Sequence, residues 1–171
     1  EEIIEQKSPM AAKMVGKPHR KETRSDWDDV NVEIMGWCLK VKLAQNFLKF
    51  GQLLESTHGK QIVENSHKDD FWGAIKDKTN SNLFRGQNKL GRILSRLRDL
   101  YNSEDRYDYL FVEPLDIPDF LLYSKPIKAI DERENFSKII LSNDKKEKNI
   151  NTSKSSDKDQ SISNKNPTLF D

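Results

Sequence analysis

The sequence predicts a helix-rich α+β domain followed by a polar tail. Apolar residues recur at helical spacing in several stretches, while β-prone runs such as "KQIVEN" and "DYLFVEPL" are short. From residue 142 onward the chain is polar and rich in lysine, with almost nothing to bury. We therefore expect a domain over residues 1–101 and an extension of short strands and a helix over 102–141 that packs on it. Residues 142–171 are predicted to be disordered.

The first two helices are predicted from their caps. Ser8 is a suitable N-cap, Pro9 suits a first helical turn, and Gly16 ends a short helix. Ser25 or Asp26 can cap the second, longer helix. Its buried face is predicted from apolar residues at spacings of four, three and four, namely Val30, Ile34, Trp37 and Val41. We therefore expect the indole of Trp37 in the core.

Two more helices follow from the same pattern. Phe47, Phe50, Leu53 and Leu54 predict a third helix, which ends before Gly59. The segment "NKLGRILSRLRDLY" predicts the clearest helix in the chain, with its apolar residues on one stripe and arginines opposite. Beyond it, three prolines punctuate "RYDYLFVEPLDIPDFLLYSKPIKAI", which predicts a strand, a turn and a second short strand.

Composition excludes several function classes. The 29 basic and 28 acidic residues nearly cancel, so no overall field attracts nucleic acid or a membrane. No apolar run approaches the roughly 20 residues of a membrane helix, and "EEIIEQKSPM" does not resemble a secretory signal. We expect a cytoplasmic protein with no membrane partner. The three histidines lack paired metal-ligand spacing, so no metal site is predicted, and the single Cys38 is expected to be a small core residue.

Two segments carry candidate binding residues. The loop "GKPHRKETRSDW" contains Lys17, Lys21 and Arg24 and is either a solvated loop or an anion-binding edge. In "HKDDFWGAIKDKTNSNLFRGQNKLG", Asp69 and Trp72 can hold a ring by stacking with a carboxylate at its edge.

The start of the following helix offers a second interaction. Asn88 has an amide that donates and accepts, and the free N–H groups of the helix favour phosphate. The alternative for the whole segment is structural: Asp69 or Asp70 as a turn or helix cap, and Trp72 as a core plug.

The order of four motifs resembles the YbiA-like N-glycosidases, also called the NADAR family. The motifs are "SPMAAKMVGK", "RSDWDDVNVEIMGWCLKVKLAQN", "LLESTHGKQIVENSHKDDFWG" and "GQNKLGRILSRLR", and they cover about residues 8–101. The resemblance implies a compact α+β domain that hydrolyses the bond between a ribose C1′ and a nitrogen, with no cofactor. The substrates it implies are a phosphorylated riboflavin-pathway ribosylaminopyrimidine, or ADP-ribose on guanine in DNA. The latter makes some members antitoxins that reverse an ADP-ribosyltransferase toxin.

The resemblance also implies roles for individual residues. It places catalytic residues at Trp27, Asp69 and Trp72. It places substrate-binding residues at Lys17, Lys21, Arg24, Glu64, Gly73 and Asn88.

Two departures from the family pattern are visible. The family's other catalytic group is a glutamate in a Ser-Glu-His-Tyr segment upstream of the first helix, and residues 1–7 do not supply it. Three interpretations stay open: the chain is part of a longer protein, a partner chain supplies the segment, or activity is lost. The last favours a non-catalytic module that binds ADP-ribose or NAD. The loop "GAIKDKTNSNLFRGQN" is also longer than expected, which favours a changed substrate.

The final "PTLFD" is the only apolar part of the tail. Leu169 and Phe170 after a polar tether resemble, weakly, the peptides by which bacterial proteins bind the replication sliding clamp; the alternative is a frayed terminus.

Overall fold

The helix-rich α+β class is confirmed by a computed structural model that describes residues 2–80, 82–143 and 145. The α-helices are α1 (Pro9–Gly16), α2 (Trp27–Gln45), α3 (Phe47–Glu55), α4 (Lys89–Tyr101) and α5 (residues 133–143). Two 3-10 helices, Lys17–Glu22 and Arg106–Leu110, lie before α2 and after α4. The predicted sliding-clamp residues, Leu169 and Phe170, lie outside the described residues. In the described ranges no helix is long and apolar enough to cross a membrane.

Three small sheets connect the helices. In the first, β1 (Asn65–Ser66) is parallel to β2 (Ala74–Lys76), which is antiparallel to β3 (Phe84–Arg85). In the second, β4 (Phe111–Val112) is antiparallel to β7 (Ile130–Asp131), and in the third β5 (Leu121–Leu122) is antiparallel to β6 (Lys125–Pro126). The predicted strand "KQIVEN" is mostly wrong, because residues 61–64 are irregular and only Asn65 of this stretch lies in a strand. The backbone of Ile62 and Glu64 binds the side chain of Asn88, and the carbonyl of Glu64 also accepts from the N–H of Ala74 at 2.8 Å.

The core lies where α2, α3 and α4 meet. Its buried cluster comprises Leu43, Phe47, Leu54, Leu97, Tyr101 and Leu110. Gly51 allows this meeting, because a Cβ there would overlap the ring of Tyr101. The α5 helix packs on the same cluster through Phe136, whose ring centroid lies 5.1 Å from that of Phe47. The extension therefore shares the core of the domain.

Helix α1 begins as predicted but packs differently. The hydroxyl of Ser8 accepts a hydrogen bond from the N–H of Ala11 at 3.2 Å, and Pro9 is the first helical residue. The spacing of Met10, Met14 and Val15 predicts that they share one face of this helix, yet Met10 and Met14 are 67% and 57% exposed.

Two core predictions on α2 are wrong. Trp37 is only partly buried, because its indole N–H donates to the carbonyl oxygen of Glu113 and its ring lines a surface groove. Cys38 is exposed, and partial burial of its thiol raises the pKa of that group. A thiol with a raised pKa is a poor nucleophile at neutral pH.

Candidate functional site

The loop that carries Asp69 and Trp72 is fixed onto the start of α4. The carbonyl oxygens of residues 70–73 accept four hydrogen bonds from the consecutive N–H groups of residues 87–90, at donor–acceptor distances of 2.6 to 3.0 Å. One of these bonds joins the N–H of Leu90 to the carbonyl of Trp72 at 3.0 Å. The first amides of α4 are therefore not free, and the expectation that they bind phosphate is wrong. Their usual need for a partner is met by the loop itself.

Asp69 caps the turn that presents Trp72. Its Oδ1 accepts from the N–H groups of Phe71 and Trp72 at 3.0 and 2.8 Å, and its own N–H donates to the hydroxyl of Ser66 at 2.9 Å. No hydrogen-bond partner of Oδ2 is found among the residues described, and the side chain is exposed. One carboxylate oxygen is thus held by the backbone while the other faces solvent. The capping alternative and a chemical role are compatible in this geometry.

Asn88 joins the start of α4 to residues 62–64. It is 7% exposed and has φ 49°, a left-handed conformation that asparagine tolerates better than most residues. Its Oδ1 accepts from the N–H of Glu64 at 3.0 Å, and its Nδ2 donates to the carbonyl of Ile62 at 2.8 Å. The buried side chain of Asn88 therefore holds residues 62–64 against the start of α4. The carboxylate of Glu64 lies on an exposed residue.

Two glycines let the backbones in this region approach each other. A Cβ on Gly73 would lie 2.6 Å from the carbonyl oxygen of Glu64. Gly86 has φ 148°, and a Cβ there would lie 2.7 Å from the carbonyl oxygen of Gly73 and 2.9 Å from that of Asp70. A side chain at Gly73 would displace residues 64–69, and one at Gly86 would push residues 70–74 away from the start of α4. Gly73 is thus a packing requirement of the site.

Helices α2 and α4 place Trp27 at the same end of the helix pair as the loop that carries Trp72. Tyr101, the last residue of α4, packs against Phe47, which follows the end of α2, with ring centroids 5.1 Å apart. Asp29 in the first turn of α2 and Lys89 at the start of α4 line the same groove, so the two helices run in the same general direction. Their starts, and with them Trp27 and the Trp72 loop, therefore lie at one end of the pair. Trp27 is 38% exposed and available to a ligand.

The basic loop contributes less free charge than its sequence suggests. Lys17 and Lys21 are exposed on the 3-10 helix. Arg24 is engaged: its Nε and Nη2 donate to both carboxylate oxygens of Asp26 at 2.6 and 2.8 Å, and Nη2 also donates to the carbonyl of Pro118 at 2.7 Å. The hydrogen bond between them raises the pKa of Arg24 and lowers the pKa of Asp26. Asp26 begins α2 as predicted, but its carboxylate binds Arg24 instead of the helix amides.

A groove of about 560 Å³ runs between α2 and α4. Its apolar floor includes Trp37, Ile93 and Leu97, and its two walls are charged. The α4 wall is basic (Lys89, Arg92, Arg96), and the α2 wall carries both acidic and basic residues (Asp29, Glu33, Lys40). The Lys89 ammonium lies 5.8 Å from the centroid of the Phe71 ring, so the groove begins beside the Trp72 loop. The basic spacing of three and four in "KLGRILSRLR" was the sequence signal for this wall.

The predicted site residues therefore fall into two groups. Hydrogen bonds and close backbone packing join Glu64, Asp69, Trp72, Gly73 and Asn88 into one unit. The second group, Lys17, Lys21, Arg24 and Trp27, lies in the segment that leads into α2. Within the described ranges, no cluster of three or more His, Cys, Asp or Glu side chains suits a metal ion. The first group offers a partly buried indole and a fixed carboxylate, and the second offers an exposed indole and two exposed lysines. These residue types suit a flat, phosphorylated ligand.

Comparison with known proteins finds relatives that are named as an N-glycosidase or as riboflavin biosynthesis proteins. The chain is 31% identical to the N-glycosidase YbiA of Escherichia coli over 58% of each protein. It is 30% identical to a riboflavin biosynthesis protein of Vibrio vulnificus, over 69% of this chain and 30% of that protein. It is 34% identical to the chloroplastic riboflavin biosynthesis protein PYRR of Arabidopsis thaliana, over 61% of this chain and 17% of that protein. The chain thus spans less than two thirds of each of these relatives.

No solved structure gives a significant match. The family model described as the NADAR domain matches residues 1–101, which is more than half of the 171 residues. This range contains all the predicted site residues and agrees with the resemblance seen in the sequence motifs. The chain belongs to the NADAR domain family.

Proposed function

We propose that this chain carries the ligand-binding end of an N-glycosidase that hydrolyses a ribosyl C1′–N bond. The observation that carries the proposal is the fixed Asp69 carboxylate beside Trp72, at the same end of the helix pair as Trp27. Relatives named as an N-glycosidase and as riboflavin biosynthesis proteins support this class of reaction.

The chemistry follows from how such a bond breaks. Departure of the nitrogen leaves positive charge on the ribose ring, and hydrolysis of glycosidic bonds commonly uses two carboxyl groups. In our proposal the free Oδ2 of Asp69 stabilises that charge or activates water, while its Oδ1 stays bound to the backbone. Trp27 and Trp72 stack on the base or the ribose. Lys17 and Lys21 bind phosphate.

The second carboxyl group is assigned by resemblance to a glutamate upstream of α1. The proposed reaction therefore requires a Glu-His-Tyr segment, supplied by the same protein or by a partner. This requirement can be tested directly, because the segment can be added in cis or in trans. The names of two relatives make a phosphorylated ribosylaminopyrimidine the first substrate to test, with ADP-ribosylated guanine in DNA the second.

The test is incubation of each substrate with the chain alone and with the chain joined to the upstream segment. Release of free base is followed by mass spectrometry. We expect cleavage by the extended protein, and cleavage lost when the added glutamate is replaced by glutamine. Binding of either substrate without cleavage by the extended protein would reject the hydrolase.

A second candidate is a module that binds ADP-ribose or NAD without cleaving it. The observation that favours it is the capping role of Asp69, which explains the residue without any chemistry. In that case the ligand is recovered unchanged after incubation with the extended protein.

If the hydrolase acts on ADP-ribosyl guanine and not on a ribosylaminopyrimidine, its proposed partners are ADP-ribosylated DNA and the ADP-ribosyltransferase toxin that modifies it.

A further inference from the structure

We infer that Arg24 is a positioning residue that holds residues 113–127 beside Trp27, where they form a recognition wall for the base-bearing part of the substrate. The identity of the ligand rests on the proposed function, whereas the contact is a property of the fold. The inference reassigns Arg24, which the family resemblance implies to be a substrate-binding residue. It also gives a role to a segment beyond residue 101, where the family match ends.

The guanidinium of Arg24 binds two groups: the carboxylate of Asp26, which orients it, and the carbonyl of Pro118. Asp26 accepts from Nε and Nη2 in a two-bond arrangement, which fixes the plane of the guanidinium. In this orientation Nη2 also reaches the carbonyl of Pro118 at 2.7 Å. The negative charge of Asp119 adds an attraction that contributes to the raised pKa of Arg24. Arg24 therefore ties a segment 94 residues away to the turn that precedes Trp27.

A second attachment fixes the direction of the segment. The indole N–H of Trp37 donates to the carbonyl of Glu113 at 2.8 Å. The Phe120 ring packs perpendicular to the Trp37 ring, with centroids 5.0 Å apart. Together with the bond from Arg24 to Pro118, these contacts show that the segment leaves Trp37 at Glu113, reaches Arg24 at Pro118 and returns to Trp37 at Phe120. The segment therefore reaches the end of the helix pair that carries Trp27.

The part of the segment beyond Pro118 presents an apolar surface. Leu121, Leu122 and Tyr123 are 45%, 59% and 51% exposed. The tight turn between β5 and β6 places Tyr123 and Ser124 at φ 53° and 58°, which non-glycine residues seldom adopt. Asp119 has φ 50° as well. Positive φ at both central residues is what a two-residue hairpin turn requires, so the turn holds the hairpin in one shape.

This surface suits one part of the proposed substrate. A flat, uncharged heteroaromatic ring gains from contact with aromatic and aliphatic side chains, whereas phosphate does not. The wall would thus face the leaving base, and the lysines of the basic loop would face the phosphate. A loss of the wall should weaken binding of every substrate that contains the base, whether or not it is phosphorylated.

The test compares Arg24→Ala with Arg20→Ala, a matched change in the same basic loop. Hydrogen–deuterium exchange is measured on peptides covering residues 117–127. KM and kcat are measured on the ribosylaminopyrimidine phosphate and on its dephosphorylated form, using the extended protein. We expect Arg24→Ala to speed exchange in this segment by about tenfold. We also expect a rise in KM of about tenfold for both substrates with little change in kcat, and a partial recovery in Arg24→Lys. Arg20→Ala should change none of these quantities.

Different outcomes overturn different parts of the inference. Unchanged exchange in Arg24→Ala would show that Arg24 does not hold the segment. A KM effect limited to the phosphorylated substrate would show that Arg24 binds phosphate. Faster exchange with an unchanged KM would show that the segment is not part of the recognition surface. If no version turns over substrate, the proposed function fails, while the exchange measurement still decides whether Arg24 positions the segment.

Discussion

The carbonyl oxygen of Gly73 accepts a hydrogen bond from the backbone N–H of Asn88 at 3.0 Å. It is one of four such bonds that bind residues 70–73 to the start of α4. Because the cap of the helix and the carrier of the candidate carboxylate are the same stretch of chain, the loop cannot leave without exposing the helix amides. Stability and site geometry are therefore coupled in this protein.

The two roles of Asp69 can be separated by two substitutions. Asparagine keeps an oxygen that accepts from Phe71 and Trp72 but removes the negative charge, whereas alanine removes both. We expect Asp69→Asn to keep the wild-type stability and to lower kcat of the extended enzyme by about 10² to 10⁴, the usual contribution of acid–base help. Asp69→Ala should show the same loss of turnover and a further loss of about 1 kcal/mol in the free energy of unfolding. Urea denaturation and steady-state kinetics measure the two effects.

Asp70 provides the matched control for this experiment. Its side chain is exposed, and none of the hydrogen bonds within the described part of the chain uses its carboxylate. Asp70→Asn should leave both stability and kcat near the wild-type values. If Asp69→Asn also retains full turnover, Asp69 is only a cap.

Two glycines should respond in opposite directions to alanine. Gly86 has φ 148°, and a Cβ at this position would lie within 3 Å of backbone atoms, so Gly86→Ala should destabilise the fold by about 1–3 kcal/mol. Gly36 lies inside α2, and a Cβ there would meet no atom within 4 Å. Gly36→Ala should stabilise the protein by up to about 1 kcal/mol, because alanine favours a helix interior. Chemical denaturation gives both values, and a neutral Gly86→Ala would contradict the close packing of the loop on α4.

The buried amide of Asn88 should be one of the most sensitive polar groups in the domain. Asn88→Ala leaves the N–H of Glu64 and the carbonyl of Ile62 without their partner and puts alanine at a positive φ. We expect a loss of about 2–4 kcal/mol in the free energy of unfolding. Asn102, an exposed residue after α4, is the control, and Asn102→Ala should change stability by less than about 0.5 kcal/mol. Equal effects of the two substitutions would show that the Asn88 clamp contributes little.

The sequence predicted the positions of the helices well, but it did not predict the contacts between segments that are distant along the chain. Apolar spacing and caps are local signals, so α1, α3 and α4 agree with their predicted positions. The clamp of Asn88 on residues 62–64 joins positions more than twenty residues apart, and no local pattern reports it. The partial exposure of Trp37 has the same origin, since its partner Glu113 lies in the extension. The family motifs identified candidate residues, but only the structure showed that the guanidinium of Arg24 already binds Asp26 and Pro118.

The loop between β2 and β3 should depend on the ionisation of Asp77. Its Oδ1 accepts from the N–H groups of Thr79 and Asn80 and from the hydroxyl of Thr79, and its Oδ2 accepts from Arg85 at 2.9 Å. The hydrogen bonds from Thr79, with help from Arg85, hold the pKa of this carboxyl far below its ordinary value. A lowered pKa in the folded state means that the ionised carboxylate stabilises the fold above the unfolded pKa of about 3.9. That stabilisation is lost as the pH falls through the lower folded value.

Asp77→Asn keeps the Oδ1 acceptor and removes the charge that attracts Arg85, so it isolates this effect. We expect the urea midpoint of Asp77→Asn to lie below that of the wild type at pH 6. The difference should shrink as the pH falls below about 3.9, because the unfolded carboxyl then binds a proton that the folded carboxyl does not. The carboxyl carbon of Asp77, followed by NMR, should titrate well below about pH 3.9, the ordinary value for an aspartate in an unfolded chain. Asp116→Asn, an exposed change elsewhere in the chain, is the control and should show no such dependence. A difference that stays constant from pH 6 to about pH 2 would show that the charge of Asp77 does not stabilise the loop, because proton uptake by the unfolded carboxyl must reduce any such contribution.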